Sequence, residues 1–352
     1  MHASVLVPVL NEARCIRSTV EAMRRQRLDG DLEILFIDGA STDGTREALF
    51  EHCAADPRLR VLENPTGRIP VALNIGLRNA RGEFVARMDA HSWYPDDYVQ
   101  RGIDRLARDD AVWVTGPQIP VGDGPWGRSV ALALRHPIGQ GGSRKWGAGE
   151  PAGERDLDTG VFCGVWRRST LEALGGWEEA WTVNEDVEMA ARVLDAGGRI
   201  VCRTEMGAEY RPRDSLRGLA RQYWRFGFYR VKSARRHPRA LRRSHLAAPG
   251  IVLTGAAAVA APARVRAVAR ALFAAYLAAV ATSSLAALRT ANLRDAFGVP
   301  VVLVVMHVAW GTGFLVGLAR FGVPATALAG LCGGERDHRY SAASSADRRP
   351  TE

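Results

Sequence analysis

Short apolar runs alternate with helix-like stretches along the first hundred residues. Four runs have the length of buried strands and end at turn-forming or charged residues; they cover 4–10, 33–37, 59–62 and 83–88. The stretches between them show helical spacing, as with Ile16, Val20 and Met23 on one face behind a cap at Asn11; the others are 45–53, 69–80 and one that begins near Pro95. This alternation predicts an α/β domain with a parallel sheet and right-handed crossovers.

The pattern continues less regularly to about residue 210. Strands are predicted over 112–117, 157–166 and 199–203, and helices over 168–174 and from 185 to the glycines at 197 and 198. Residues 118–156 are rich in glycine and proline and are predicted to form a long irregular region.

Three stretches without a charged residue follow, at 246–262, 271–288 and 296–319. A bilayer span needs about 20 apolar residues, so the third predicts a transmembrane helix. The first two are shorter and alanine-rich, and predict two more helices, or a re-entrant or interfacial hairpin. We therefore expect an α/β domain over 1–210, an interfacial segment over 211–245, a membrane region over 246–320 and a disordered polar tail over 333–352.

Positive charge is concentrated just before the apolar stretches. Residues 211–243 contain twelve arginines or lysines and one acid, whereas the whole chain has a net charge of +9. Interleaved aromatic residues predict an amphipathic helix at a membrane surface. Positive charge beside a span also predicts that the α/β domain lies on the cytoplasmic side of the inner (plasma) membrane. Nucleic-acid binding is the alternative for this segment, but the apolar stretches after it favour membrane lipids and no nucleic acid.

The five cysteines, at 15, 53, 163, 202 and 332, contain no Cys-x-x-Cys pair. This argues against a zinc cage or a disulfide framework and indicates a reducing compartment. The apolar run near the N-terminus is too short for a signal peptide and has no basic region before it, so we expect none.

Asp89 and His91 follow the strand predicted at 83–88. Side chains two residues apart at a strand end point the same way, and ligands bind beyond the carboxyl ends of strands in open α/β sheets. A carboxylate and an imidazole can hold Mn²⁺ or Mg²⁺, with water and phosphate oxygens completing the shell. For this pair alone, a capping aspartate beside a solvent-facing histidine is the alternative.

Glu185 and Asp186 form a second candidate pair, in the first turn of a predicted helix behind a cap at Asn184. The helix field favours ionised carboxylates there, and an ionised carboxylate can take a proton from an alcohol. Acidic residues are also ordinary at helix starts, so the pair alone does not establish an active site.

The loop after the second predicted strand reads Asp38-Gly39-Ala40-Ser41-Thr42-Asp43-Gly44-Thr45. Its small residues let backbone approach a ligand, and Ser, Thr or Asp can cap the next helix. The loop matches neither the dinucleotide fingerprint nor the P-loop.

Together these motifs resemble family 2 of the glycosyltransferases, which are inverting nucleotide-sugar enzymes with the GT-A fold. The resemblance covers about residues 3–235. It rests on Pro8-x-x-Asn11-Glu12, the 38–45 loop, Asn74-x-Gly76 with Ala80-x-Gly82-Glu83, the Asp89 stretch and Glu185-Asp186, in that order. Asp-Ala-His-x-x-Tyr-Pro and Gln222-Tyr-Trp-Arg225-Phe look most like the membrane-attached glucosyltransferases of succinoglycan biosynthesis.

The resemblance implies a GT-A domain with a Rossmann-like mixed sheet and a donor site within it. Pro8, Glu12 and Asp38 would line the nucleotide pocket, and Arg68 would reach the nucleotide. Asp89 would meet the donor diphosphate through the metal, with His91 in the place of the last Asp of the family's Asp-x-Asp.

The resemblance also implies an acceptor side. Asp186, beside Glu185, would be the catalytic base, and Trp177 would stack on acceptor sugar unless it is a core residue. Gln222 and Arg225 match the Gln-x-x-Arg-Trp signature of polymerising relatives. Phe226 replaces the signature Trp and His91 replaces an Asp, which argues against a processive enzyme and makes the metal site less anionic.

The expected reaction is inverting transfer of a hexose, such as glucose, from a nucleotide-sugar, expected to be UDP-linked, to a hydroxyl of a lipid-linked saccharide. Such a reaction serves exopolysaccharide or cell-surface glycan synthesis. Two alternatives remain at this point: a polyprenyl-phosphate sugar synthase, whose acceptor is a lipid phosphate, and a non-catalytic nucleotide-sugar-binding membrane scaffold.

Overall fold

The computed structural model describes residues 2–147 and 152–332, and its N-terminal part is built on an eight-stranded mixed sheet. The strands, in chain order, are β1 His2–Val9, β2 Asp31–Asp38, β3 Leu59–Glu63, β4 Phe84–Arg87, β5 Ser92–Trp93, β6 Trp113–Thr115, β7 Gln118–Pro120, β8 Glu154–Asp156, β9 Gly164–Arg167, β10 Ile200–Arg203 and β11 Ala208–Tyr210. The large sheet has the order β3-β2-β1-β4-β9-β6-β10-β8, and β5-β11-β7 form a small second sheet.

Helices connect the strands and then make up most of the described chain from Leu216 to Cys332. They are α1 Ile16–Arg24, α2 Thr45–Ala55, α3 Ile69–Asn79, α4 Tyr98–Leu106, α5 Gly124–Arg135, α6 Pro137–Gln140, α7 Arg168–Ala173, α8 Glu185–Asp195, α9 Leu216–Arg236, α10 Ala247–Ala260, α11 Ala263–Ala287, α12 Leu293–Phe321 and α13 Ala325–Cys332. Three short 3-10 turns cover Thr204–Met206, Pro238–Ala240 and Arg243–Leu246.

Strand direction determines where a ligand can bind. Strands β3, β2, β1 and β4 are parallel neighbours, so their carboxyl ends share one edge of the sheet. Strand β9 runs antiparallel between β4 and β6. The prediction of an α/β sheet is confirmed, and the antiparallel β9 and β8 make the sheet mixed.

Three sequence predictions are corrected by the fold. Residues 157–166 are not one strand: β8 ends at 156 and β9 begins at 164, and the loop between them passes over the start of α8. An added Cβ at Gly160 would lie 2.0 Å from the backbone oxygen of Asp186. Asn11 does not cap α1, which begins at Ile16. Asn184 precedes α8 with a left-handed backbone, φ 63°, and its side chain makes no capping hydrogen bond.

The region 118–156 is also more ordered than predicted, because it contains β7 and α5. Proline and glycine obscure the start of α5, but proline fits a first helical turn. The helix packs on α12, where the Ser129 hydroxyl donates to the backbone oxygen of Asp295 at 2.9 Å. Arg128 pairs with the Asp295 carboxylate at 2.7 Å.

Two helices in the described part of the chain are long and apolar enough to cross a membrane, α11 and α12. They match the stretches predicted at 271–288 and 296–319. The stretch at 246–262 forms the 14-residue α10, which is shorter than a bilayer span. The predicted tail, 333–352, lies outside the described residues.

The basic segment forms α9 as predicted, and its aromatic face packs against α12. The Phe228 ring lies 4.9 Å from the Phe321 ring. Two glycines allow the backbones to approach: an added Cβ at Gly313 would lie 2.1 Å from the backbone oxygen of Trp224, and one at Gly227 would lie 2.0 Å from that of Trp310. The aromatic residues of α9 therefore join two helices as well as forming one side of an amphipathic surface.

Candidate active site

The loops that follow β1 and β2 are tied to each other at the edge of the sheet. The Asn11 amide donates to the Ser41 hydroxyl at 2.9 Å, and the Asn11 side-chain oxygen accepts from the Thr42 amide at 2.9 Å. The Glu12 amide donates to the Thr45 hydroxyl at 2.8 Å. The small polar residues of the 38–45 loop thus connect the loops at the carboxyl ends of β1 and β2, and we call this connected edge the rim.

Asp38 ends β2 inside this rim and is 1% exposed. Its Oδ2 accepts from the Ser41 amide at 3.2 Å, while Oδ1 is buried with no hydrogen-bond partner among residues 2–147 and 152–332. A buried carboxylate oxygen without a donor is costly, so the site suits a ligand that brings an N–H or O–H group. The nearby turn is tight, because an added Cβ at Gly39 would lie 3.2 Å from the Cα of Gly67.

Arg68 and Pro8 complete this part of the site. Arg68 precedes α3 as its N-cap residue, and its Nε atom is buried without a hydrogen-bond partner in the described part of the chain. Pro8 is half-buried near the end of β1, opposite Ile37 of β2. Both residues lie at the strand edge where the sequence predicts nucleotide binding.

Glu12 and His91 connect the β1 edge to the β4 edge. His91 Nδ1 lies 3.5 Å from Glu12 Oε1. The pKa of His91 is raised, first by the hydrogen bond to Glu12 and also by the charge of Asp89, against the effect of burial. Burial alone would raise the pKa of Glu12, but hydrogen bonds with His91 and Cys15 outweigh it and lower that pKa.

Arg87 forms the centre of the site, although it belongs to the buried strand β4. Its Nε and Nη2 atoms donate to the two oxygens of Asp89 at 2.9 and 3.1 Å, and Nη2 also donates to Glu185 at 3.2 Å. The Arg87 side chain is 3% exposed. Burial alone would lower its pKa, but Asp89 and Glu185 outweigh that effect and raise it. One guanidinium therefore joins the two predicted carboxylate motifs.

Glu185 and Asp186 differ in their surroundings despite being neighbours. Burial raises the pKa of Glu185, the charge of Asp186 adds to this, and Arg87 opposes it. Asp186 Oδ1 accepts the Val187 amide of its own helix at 2.9 Å. Among the described residues, Asp186 has no ion-pair partner within 4 Å, so it is the more available of the two as a proton acceptor.

A divalent metal fits this site through Asp89 but not through a cluster of protein ligands. Within the described ranges, no group of three or more His, Cys, Asp or Glu side chains could hold a metal ion. Each Asp89 oxygen keeps a lone pair beside its bond to Arg87, and Mg²⁺-type sites commonly combine one carboxylate with substrate phosphates. His91 Nδ1 faces Glu12 at 3.5 Å, so binding of a metal ion by this nitrogen would compete with the pair to Glu12.

The acceptor-side predictions have mixed outcomes. Trp177 is 2% exposed in the core, where it meets Trp166 edge-on at 5.9 Å and its amide donates to Asn74. Its ring is covered and cannot stack on a sugar, which corrects the predicted acceptor role. Gln222 lies on α9 and donates to the Tyr210 hydroxyl at 3.3 Å, and Arg225 is exposed on the same helix.

Two cations of the site were missed from the sequence. Arg87 had a visible signal: it is a charged residue after three apolar strand residues, two positions before Asp89. Arg213 lies close enough to His91 for its charge to oppose protonation of the imidazole. It had no distinguishing signal, because the segment around it contains many arginines.

The chain is similar in sequence to known glycosyltransferases. The model of the family described as glycosyl transferase family 2 matches residues 4–162. The succinoglycan biosynthesis protein ExoA of Rhizobium meliloti (strain 1021) is 31% identical over 236 residues, which are 66% of this chain and 70% of that protein. A chondroitin synthase of Escherichia coli is 31% identical over 106 residues, or 30% of this chain and 15% of that protein.

Comparison with solved structures concerns the fold. The mannosyltransferase PcManGT from Pyrobaculum calidifontis, solved in complex with GDP-Man and Mn²⁺, superimposes with a TM-score of 0.58 at 22% identity. The match covers 89% of this chain and 86% of that one. The predicted GT-A fold is thereby confirmed.

Proposed function

Because this chain belongs to glycosyltransferase family 2, with relatives in polysaccharide biosynthesis, we propose that it transfers a hexose to a hydroxyl of a lipid-linked saccharide. The donor in this proposal is a nucleoside diphosphate sugar, with UDP-glucose first among the candidates. One observation carries the proposal: Arg87 holds the donor-side Asp89 and the first turn of α8 together, with Asp186 beside them.

The donor would lie along the edge formed by β1, β2 and β4. The unpartnered Asp38 Oδ1 supplies an acceptor for a nucleobase N–H, and Arg68 brings a buried N–H. Gly39 and Gly67 pack closely against each other, which lets the loops after β2 and β3 meet at this edge. Asp89 would face the diphosphate, and a divalent cation bound between them, Mn²⁺ or Mg²⁺, would neutralise the charge of the leaving group.

Asp186 acts as the base in this proposal. It takes the proton of the acceptor hydroxyl, whose oxygen bonds to C1 of the sugar while the bond from C1 to the diphosphate breaks. The nucleoside diphosphate leaves from the opposite face, so a single displacement inverts C1. Glu185, held by Arg87, positions the first turn of α8 and does not take the proton.

Membrane attachment is part of the proposal. Helices α11 and α12 would anchor the chain in the inner membrane, and α9 would lie at the surface with its arginines toward anionic lipid. The GT-A domain over 1–210 would then face the cytoplasm, next to the lipid-linked acceptor.

The test is donor hydrolysis and sugar transfer by the full chain in detergent. UDP-glucose, UDP-galactose, UDP-N-acetylglucosamine and GDP-mannose are assayed with Mn²⁺, Mg²⁺ or EDTA. We expect Asp186→Asn to bind donor but to lose about 10²- to 10⁴-fold in transfer, with the exposed Asp104→Asn as control. Binding of no donor would refute the proposal, and full activity of Asp186→Asn would indicate a phosphate acceptor, which scarcely needs a base.

A further inference from the structure

Three cations from separate parts of the chain lie within electrostatic range of one another and of the acidic first turn of α8. They are Lys145, Arg230 of α9 and Arg242, and we call them the cation cluster. Burial lowers the pKa of Lys145, and the charges of Arg230 and Arg242 lower it further, against Asp186 and Glu185. Burial also lowers the pKa of Arg230 to about 10, with Arg242 adding to the effect and Asp186 opposing it.

The geometry around the cluster places it next to the candidate base. Arg242 has a side chain that is 15% exposed, and it pairs with Asp158. Asp158 lies on the loop whose Gly160 packs against the backbone of Asp186, where an added Cβ would be 2.0 Å from the carbonyl oxygen. The cluster and the base are therefore separated by one short loop.

Arg230 has hydrogen-bonding capacity that the protein does not use. Its Nη1 donates to the Ala240 carbonyl at the long distance of 3.5 Å. Its Nε is buried without a hydrogen-bond partner, counting residues 2–147 and 152–332. A buried guanidinium N–H left unpaired is unfavourable, and an incoming anion would satisfy it. A guanidinium group can donate two parallel hydrogen bonds to two oxygens of one phosphate, so phosphate is an anion that suits Arg230.

The cluster also adjoins the apolar helices. The Arg242 amide donates to His245 Nδ1 at 3.1 Å, and the His245 ring packs on Trp310 of α12 at 5.6 Å. Helix α12 is one of the two helices long enough to cross a membrane. A phosphate group on the cluster would thus have the base on one side and an apolar helix on the other.

We propose that the cation cluster binds the diphosphate of the lipid-linked acceptor, with the lipid chain toward α12 and the sugar hydroxyl toward Asp186. The identity of the acceptor rests on the proposed function. The lipid-linked acceptor and the nucleotide of the donor both carry a diphosphate, and the experiment below distinguishes binding of one from binding of the other. The three positive charges of the cluster can pair with the several negative charges of a diphosphate.

The experiment measures two dissociation constants on the full chain in detergent, one for farnesyl diphosphate and one for UDP or GDP. For Arg230→Gln and Arg242→Gln we expect farnesyl diphosphate binding to weaken about tenfold or more, the cost of one charge-assisted contact. Nucleoside diphosphate binding should stay within about twofold. The control is Arg239→Gln, an exposed arginine of the same segment, which should change neither constant.

A parallel loss of nucleoside diphosphate binding would overturn the inference, because the cluster would then serve the donor. Unchanged farnesyl diphosphate binding would overturn it too. Lys145→Gln, a change at a half-buried residue outside the helices, gives the same test if an arginine variant fails to fold. Donor hydrolysis by the wild-type preparation is measured alongside: its absence counts against the proposed function, whereas hydrolysis without farnesyl diphosphate binding counts against this inference alone.

Discussion

The Arg87 guanidinium donates to Asp89 at 2.9 and 3.1 Å and to Glu185 at 3.2 Å, which joins the end of β4 to the start of α8. Both carboxylates belong to motifs recognised in the sequence, and 98 residues separate Arg87 from Glu185. The proposed donor side and the proposed base side of the site therefore share one buried positive charge.

Replacing Arg87 should damage both folding and activity. Arg87→Met leaves two buried carboxylates without their cation, and breaking such a pair costs about 3–5 kcal/mol in the free energy of unfolding. Arg87→Lys keeps the charge but loses the two-pronged contact, so we expect smaller destabilisation with a marked loss of kcat. Thermal unfolding in detergent and donor turnover measure the two effects.

The exposed Arg17 supplies the control, because its side chain is 84% exposed and its ion pair with Glu21 spans 3.9 Å. Arg17→Met should alter neither unfolding nor turnover. If Arg87→Met unfolded at the wild-type temperature with normal turnover, the joint role of this guanidinium would be refuted.

The sequence predicts Asp89 and Asp186 as site residues but does not predict the contact that joins their surroundings. Both are predicted because a strand end and a helix start are local features. The contact through Arg87 joins β4 to a residue 98 positions further along the chain, and local sequence patterns do not reveal such a pairing. The burial of Trp177 in the core likewise follows from its long-range bond to Asn74, and the sequence leaves its position open.

Errors in the fold prediction also have physical causes. Helix α5 was missed because its first turn contains proline and two glycines, residues that usually mark loops. The apolar residues at 157–166 suggested one strand, whereas the glycine at 160 allows a loop to pass over α8 at close range. In both cases tertiary contacts decide the local structure.

Metal dependence should distinguish Asp89 from His91. In the proposed function Asp89 faces the donor diphosphate, so we expect turnover of Asp89→Asn to fall about 10²-fold or more. His91→Gln breaks the pair with Glu12. Loss of a residue that supports a metal ligand usually weakens metal binding about tenfold or more. We expect His91→Gln to change the Mn²⁺ concentration for half-maximal turnover by less than this. Titration of turnover with Mn²⁺ after EDTA treatment measures both.

A large rise in the Mn²⁺ requirement of His91→Gln would show that His91 ligates the metal after all. His52→Gln, at a half-buried histidine of α2, is the matched control for a histidine substitution; its Mn²⁺ titration should coincide with that of the wild type.

His237 should make stability depend on pH. Its Nε2 lies 3.5 Å from Glu188 and its Nδ1 3.1 Å from Asp195, so the residue after α9 is bound to α8. The pKa of His237 is raised above 6.5, first by Glu188 and also by Asp195, with burial opposing. A raised pKa stabilises the folded state fully below pH 6.5, and this contribution is lost as the pH rises through the folded-state value.

The measurement is the unfolding temperature of the wild type and His237→Gln between pH 5.5 and about 9, a range that brackets histidine titration. We expect the difference between them to be largest at acidic pH and to shrink as the pH rises. A difference that grew with pH would contradict the assigned pairing.

Close packing between α9 and α12 should be sensitive to a single methyl group. An added Cβ at Gly313 would lie 2.1 Å from the Trp224 carbonyl oxygen, so Gly313→Ala must push the helices apart. We expect a loss of about 1–3 kcal/mol in the free energy of unfolding, as for other overpacked sites. At Gly250 of α10 an added Cβ meets nothing within 4 Å, so Gly250→Ala should be neutral or stabilise by about 0.5–1 kcal/mol.

Arg230 of the cation cluster belongs to α9. Moving α9 away from α12 should therefore also displace Arg230. Gly313→Ala should therefore weaken farnesyl diphosphate binding, whereas Gly250→Ala should not. Chemical unfolding in detergent and the farnesyl diphosphate titration are made on the same preparations. Equal unfolding curves for the two alanine variants would mean that the helices can move apart at no cost, and that the glycine contact does not set the position of α9.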